Sequence, residues 1–124
     1  MEQRRTAKES MSKLSRTKGH SFEREIAVAL RGVFPGARRH LEYHEDDANG
    51  VDLIGTGRFK FQCKRLRKYA SITKIDEIMC EPAFGDVPVL VTKGDGTPIM
   101  AVLAFADLLD LIRTAQQCAE KGKN

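Results

Sequence analysis

The sequence predicts an α/β fold in which a single mixed β-sheet is flanked by helices, with elements in the order α-β-β-β-α-β-β-α. Three observations lead there. Apolar residues recur at helical spacing near both ends, short strand-like runs between glycine-rich turns fill the middle, and 124 residues suffice for one compact domain. With 41% hydrophobic and 31% charged residues, the composition is that of a globular protein, neither disordered nor fibrous.

Residues 1–19 lack sustained apolar periodicity and are rich in Ser, Thr, Lys and Arg, which predicts a flexible basic arm ahead of a domain over residues 20–124. A helix is expected over Ser21–Phe34, because Phe22, Ile26, Ala29, Leu30 and Val33 share one stripe, and Pro35-Gly36 should end it. A strand over Ala37–Tyr43, a polar loop His44–Asn49 and a strand over Val51–Ile54 follow. Gly55-Thr56-Gly57 then turns the chain into a strand over Arg58–Lys64, making a hairpin. After a partly basic linker come a helix over Ile72–Met79 and a loop over Pro82–Pro88. Strands Val87–Val91 and Ile99–Leu103 are joined by a Gly-Asp-Gly turn, and a helix marked by Phe105, Leu108, Leu109, Leu111 and Ile112 fades into a charged tail. No internal repeat is present.

The chain has 21 basic and 17 acidic side chains, a net charge of +4. All of that excess lies in residues 1–19, since the remainder holds 15 of each sign. A basic arm fits a nucleic-acid partner and a solvated tail without a partner equally well. Within the domain, Arg58–Lys68 carries six basic residues and no acid. The longest apolar run, Ala101–Ala106, is far too short to span a bilayer, and the opening residues lead to the expectation of no secretory signal. Three cysteines without a C-x-x-C pair argue against a disulfide framework or a thiolate zinc site. The expected setting is therefore cytoplasmic, or a host cytoplasm if the protein is viral, with no membrane partner.

Polar groups at core-like positions identify the candidate site. With Phe22 at 0° on the helical wheel, Glu23 falls at about 100°, inside the arc of Ile26, Leu30 and Phe34. A carboxylate there needs a cation, a metal or a hydrogen-bond donor, unless it reaches water from the stripe's edge. Asp52 stands in the strand Val51–Ile54, where Asp is disfavoured, or else caps the preceding loop. On the next strand Phe59, Phe61 and Cys63 form the core face, whereas Lys60, Gln62 and Lys64 line the other, which taken alone reads as a solvated edge. A hairpin that joins Asp52 to Gln62 and Lys64 gathers the three on one sheet face, and a helix packed there adds Glu23. Two carboxylates and an amide oxygen suit a hard divalent cation, and the Lys64 ammonium suits charge developing on phosphorus. This is the chemistry of metal-dependent phosphodiester hydrolysis.

The spacing Asp-x9-Gln-x-Lys, behind a helix with an embedded Glu, resembles the PD-(D/E)XK nuclease superfamily. Within it, Lys18-Gly-His-Ser-Phe-Glu-Arg-Glu25 followed by Gly50-Val-Asp-Leu-Ile-Gly55 is similar to archaeal-type Holliday junction resolvases. The resemblance runs from about Lys18 to Ile112 and implies a restriction-endonuclease-like fold. It also implies a homodimeric, Mg²⁺-dependent endonuclease, with Mn²⁺ a substitute, that resolves four-way DNA junctions in recombination or repair. By that resemblance Glu23, Asp52 and Gln62 bind the metal with the backbone carbonyl of Cys63, and Lys64 is the catalytic lysine. Lys18, Arg24, Arg38 and Arg39, with Lys60, Arg65, Arg67 and Lys68 of the basic stretch, are the expected DNA contacts.

The chain departs from the family at Gln62, where most relatives carry Glu, and an amide oxygen ligates Mg²⁺ without adding charge. The acidic loop His44–Asn49 is a second departure, offering either a compensating carboxylate or a solvated loop. His40, Glu42 and His44 alternate on one strand face, but no fourth ligand stands at a usable zinc spacing. Three other functions compete with junction resolution: a duplex, nick or flap endonuclease of the same fold, a DNA-binding module with a weakened catalytic site, and a folded interaction protein with no nucleic-acid partner.

Overall fold

The computed structural model describes residues 19–40 and 50–122. Nearly all of the expected arm, Lys18 included, and the acidic loop with Glu42 and His44 lie outside the described residues. Gly19, assigned to the arm by sequence, is already helical.

The first helix (α1, residues 19–30) buries Phe22, Ile26 and Ala27. It stops short of the expected Phe34, since Gly32 is a poor helix former and turns carry the chain through residues 31–36. Val33 is consequently 74% exposed and Ala29 is exposed too, so neither joins the core expected of them; Ala27 does. The buried arc is thus centred nearer Glu23 than the sequence stripe implies.

Strand β1 (Arg38–Arg39) pairs antiparallel with β2 (Leu53–Ile54). Strand β3 (Phe59–Arg65) runs parallel to β4 (Val87–Lys93), which pairs antiparallel with β5 (Met100–Val102). The strands therefore form a two-stranded and a three-stranded sheet rather than the single sheet expected. The reason lies at Asp52. Its backbone N–H donates to the Phe61 carbonyl at 2.8 Å, but its side-chain Oδ2 takes the Cys63 N–H at 2.7 Å. A carboxylate thus accepts the donor that a continuous ladder gives to a backbone carbonyl.

The glycine turn ahead of β3 is dictated by close approach. Gly55 has φ +78°, and a Cβ there would lie 2.2 Å from the Gly36 carbonyl oxygen. That contact holds the turn against the end of the α1–β1 connection.

Between β3 and β4 the expected helix is a 3-10 segment, Ile72–Glu77, capped by Ser71. It is short and holds three β-branched residues, Ile72, Thr73 and Ile75, which disfavour a longer α-helix. The linker before it is fastened, not loose. The Leu66 N–H donates to the Lys93 carbonyl and the Asp95 N–H to the Arg67 carbonyl, and the buried Thr92 hydroxyl bridges the Ala70 N–H to the Lys64 carbonyl.

One face of β3 and β4 (Phe61, Cys63, Val87, Val89 and Val91) packs with Phe22, Ile26 and Ala27 of α1 and with Leu53. On the other face Gln62 lies in register with the fully buried Leu90. The last helix, α2 (Phe105–Gly122), extends ten residues beyond the apolar stripe, because good helix formers such as Ala115, Gln116, Gln117 and Ala119 continue it. It buries no residue fully, and Phe105, Leu108 and Ile112 remain exposed. No helix among the described residues is long and apolar enough to cross a membrane.

Candidate active site

Asp52 is the hinge of the site. Its carboxylate, bound to the Cys63 N–H, sits beside the β3 backbone between Gln62 and Lys64, whose own side chains meet at Glu77. The His40 N–H donates to the Asp52 carbonyl at 2.8 Å, which ties β1 to the same point.

Glu23 receives the cation that its place in the apolar arc demands. Arg39 Nε donates to Glu23 Oε2 at 2.8 Å, with both side chains largely buried. Arg39, expected to face DNA, is therefore engaged inside the protein. Asp52 and Glu23 are both felt at the Cys63 thiol: burial pushes that thiol far above its ordinary range, and the two carboxylates push it further.

The opposite face of β3 differs from the solvated edge that its alternation suggests. Gln62 is only 3% exposed. Its Nε2 donates to Glu77 Oε2 at 2.7 Å, while its Oε1 is buried and has no hydrogen-bond partner among the described residues. Glu77 lies 3.9 Å from Lys64 Nζ and 3.0 Å from Lys74 Nζ. The hydrogen bonds from Lys74 and Gln62 hold its carboxyl below the usual carboxylate range.

Glu77 is held beside the Asp52 segment by a glycine contact. Gly50 has φ +72°, and a Cβ on it would lie 2.0 Å from the Glu77 carbonyl oxygen. Only glycine permits that approach. Sequence reading missed Glu77, which is fifteen residues from Gln62 and carries no motif; the one available signal was that a buried glutamine needs partners.

The basic candidates divide into two groups. Arg24, Arg38, Arg67 and Lys68 are exposed. Arg65 pairs with Asp95 at 2.9 Å, and Lys60 Nζ donates to the Gly57 carbonyl at 3.2 Å. Among the described residues, no three or more His, Cys, Asp or Glu side chains cluster as a metal site. Of the His40, Glu42 and His44 trio only His40 is described, and it is buried.

The chain matches no family model, and no curated protein or solved structure aligns with it significantly. The site's own chemistry therefore carries the functional reading. Its donors at Asp52, Gln62 and the Cys63 carbonyl are all oxygens, the set that suits a hard divalent cation, and the buried, unpartnered Gln62 Oε1 is an acceptor in want of one.

Thiol reactivity checks the packing around Asp52. All three cysteines are free, with Cys118 exposed and Cys63 buried. At pH 8, iodoacetamide should modify Cys118 first and Cys80 more slowly, since burial foremost raises the Cys80 thiol as well. Cys63 should react only after denaturation. Mass spectrometry of the digested protein measures this, and rapid native labelling of Cys63 would contradict the packing.

Proposed function

We propose that the protein is a divalent-metal-dependent DNA endonuclease of the PD-(D/E)XK kind, acting on branched DNA and foremost on four-way junctions. One observation carries the reading: the 2.7 Å bond from Cys63 N to Asp52 Oδ2, which sets a carboxylate beside the Gln-x-Lys pair of β3. Oxygens of Asp52, Gln62 and the Cys63 carbonyl would hold Mg²⁺ or Mn²⁺, which when bound polarises the phosphodiester and acidifies a water.

The chain's own residues do the rest. Asp52 supplies negative charge at a position fixed by the β3 backbone. Lys64, half-exposed, orients the attacking water and offsets charge gathering on the phosphorus oxygens. Glu23 does not join this set: it is paired with Arg39, and α1 packs on the Phe61 and Cys63 face of β3, opposite the Gln62 and Lys64 side chains. The exposed Arg24, Arg38, Arg67 and Lys68 bind backbone phosphates. Symmetrical cutting of a junction calls for a homodimer, and the exposed stripe of Phe105, Leu108 and Ile112 on α2 is a surface suited to it.

A second reading has a specific observation in its favour. Arg39 already neutralises Glu23, and Gln62 is uncharged, so a DNA-binding module with a weakened catalytic site also fits. Equal amounts of protein on a four-way junction, a flap and linear duplex, all with Mg²⁺, separate the readings. We expect the junction to be cut well ahead of the other two. Equal cutting of all three would make the enzyme a general duplex nuclease. Tight, salt-sensitive binding without cleavage in Mg²⁺ or Mn²⁺ would make it a binding module.

A further inference from the structure

The Gln62 amide has two ends, and Glu77 decides which way they face. Nε2 is the donor end, and Glu77 Oε2 accepts from it at 2.7 Å. Flipping the amide would set its oxygen against the carboxylate, acceptor to acceptor, and lose the bond. The carbonyl Oε1 is thereby left as the acceptor, buried and unpartnered among the described residues, on a residue only 3% exposed. Leaving a buried acceptor unsatisfied costs about 1–3 kcal/mol, a cost that a donating or positively charged ligand would remove. Glu77 also brings a carboxylate beside the uncharged Gln62, a charge shared with Lys74 Nζ at 3.0 Å and Lys64 Nζ at 3.9 Å. Gly50 fixes the Glu77 backbone two residues from Asp52, so the contact belongs to the same site.

From this we infer that Glu77 is a positioning residue for a divalent cation: it turns the Gln62 carbonyl oxygen toward the ion. The inference rests on the metal-dependent reading above and assigns Glu77 a role through Gln62, not contact with the reacting atoms. A glutamine can then occupy this position without surrendering the metal.

Mn²⁺ binding to the full chain without DNA, followed by the loss of the free-ion paramagnetic resonance signal, tests the pairing. Glu77 is half-exposed, so its variants should fold, which thermal melts check. Glu77→Gln and Glu77→Ala should weaken Mn²⁺ binding by roughly 10–100-fold, the range found when a ligand loses its orienting partner. The exchange Gln62→Glu with Glu77→Gln restores a carboxylate and an amide in contact with their places reversed, and should bring the affinity back. Parent-like affinity in both single variants, or no recovery in the exchange, would overturn the role of Glu77. A parent that cuts DNA while the Glu77 variants bind Mn²⁺ normally overturns the inference alone. A parent that binds Mn²⁺ through this pair yet cuts no DNA supports the inference and overturns the nuclease reading. A parent that binds no Mn²⁺ overturns both.

Discussion

Asp52→Asn should slow Mg²⁺-dependent cleavage of a four-way junction by roughly 100-fold or more, while junction binding and folding persist. Loss of an orienting partner alone costs a metal site about 10–100-fold, and a direct ligand carries more than that. The geometry explains why folding survives. Asn can keep its oxygen on the Cys63 N–H, preserving the bond that joins β2 to β3. It then turns an NH₂ group where the second carboxylate oxygen stood and removes the negative charge. Single-turnover cleavage beside a binding titration measures the two effects separately. A mutant that cuts like the parent would show the wrong site has been assigned.

Leu90→Ala should lower the unfolding free energy by about 2–5 kcal/mol. Leu90 is fully buried on the central strand of the three-stranded sheet. Urea denaturation should show a lower midpoint at unchanged slope. Val33→Ala, at a side chain 74% exposed, should stay within about 0.5 kcal/mol. Leu90 is in register with Gln62, so the same substitution should loosen the glutamine and reduce cleavage. Equal stability of the two variants would mean that the face of β3 carrying Gln62 is not packed as described.

Some of this arrangement was legible in the residues. The alternation of β3 correctly puts Phe61 and Cys63 in the core, because period-two patterning reports which side chains seek apolar company. Glu23 stood out inside an apolar arc, and its need for a cation is met. Arg39 as that cation was not legible, because charge patterning does not tell an arginine that faces inward from one that faces a phosphate.

Other features are set by contacts distant in sequence. Gln62 reads as half-solvated, yet the segment after Ser71 covers it, and neither a short 3-10 run nor Glu77 announces itself by periodicity. The break between the sheets depends on one side-chain hydrogen bond at Asp52, which hydrophobic patterning does not register. The length of α2 was missed for a different reason: its stripe ends near Ile112, while helix propensity alone carries it to Gly122.

In the proposed function the Asp52, Gln62 and Lys64 constellation hydrolyses phosphodiesters with a divalent cation. Its most direct test is single-turnover incubation of the parent protein, in excess, with an end-labelled four-way junction, started with Mg²⁺ and stopped with EDTA. Discrete cut products should accumulate with Mg²⁺ and be absent when EDTA is present from the start. A junction that is bound but remains intact with Mg²⁺ and with Mn²⁺ would contradict the account.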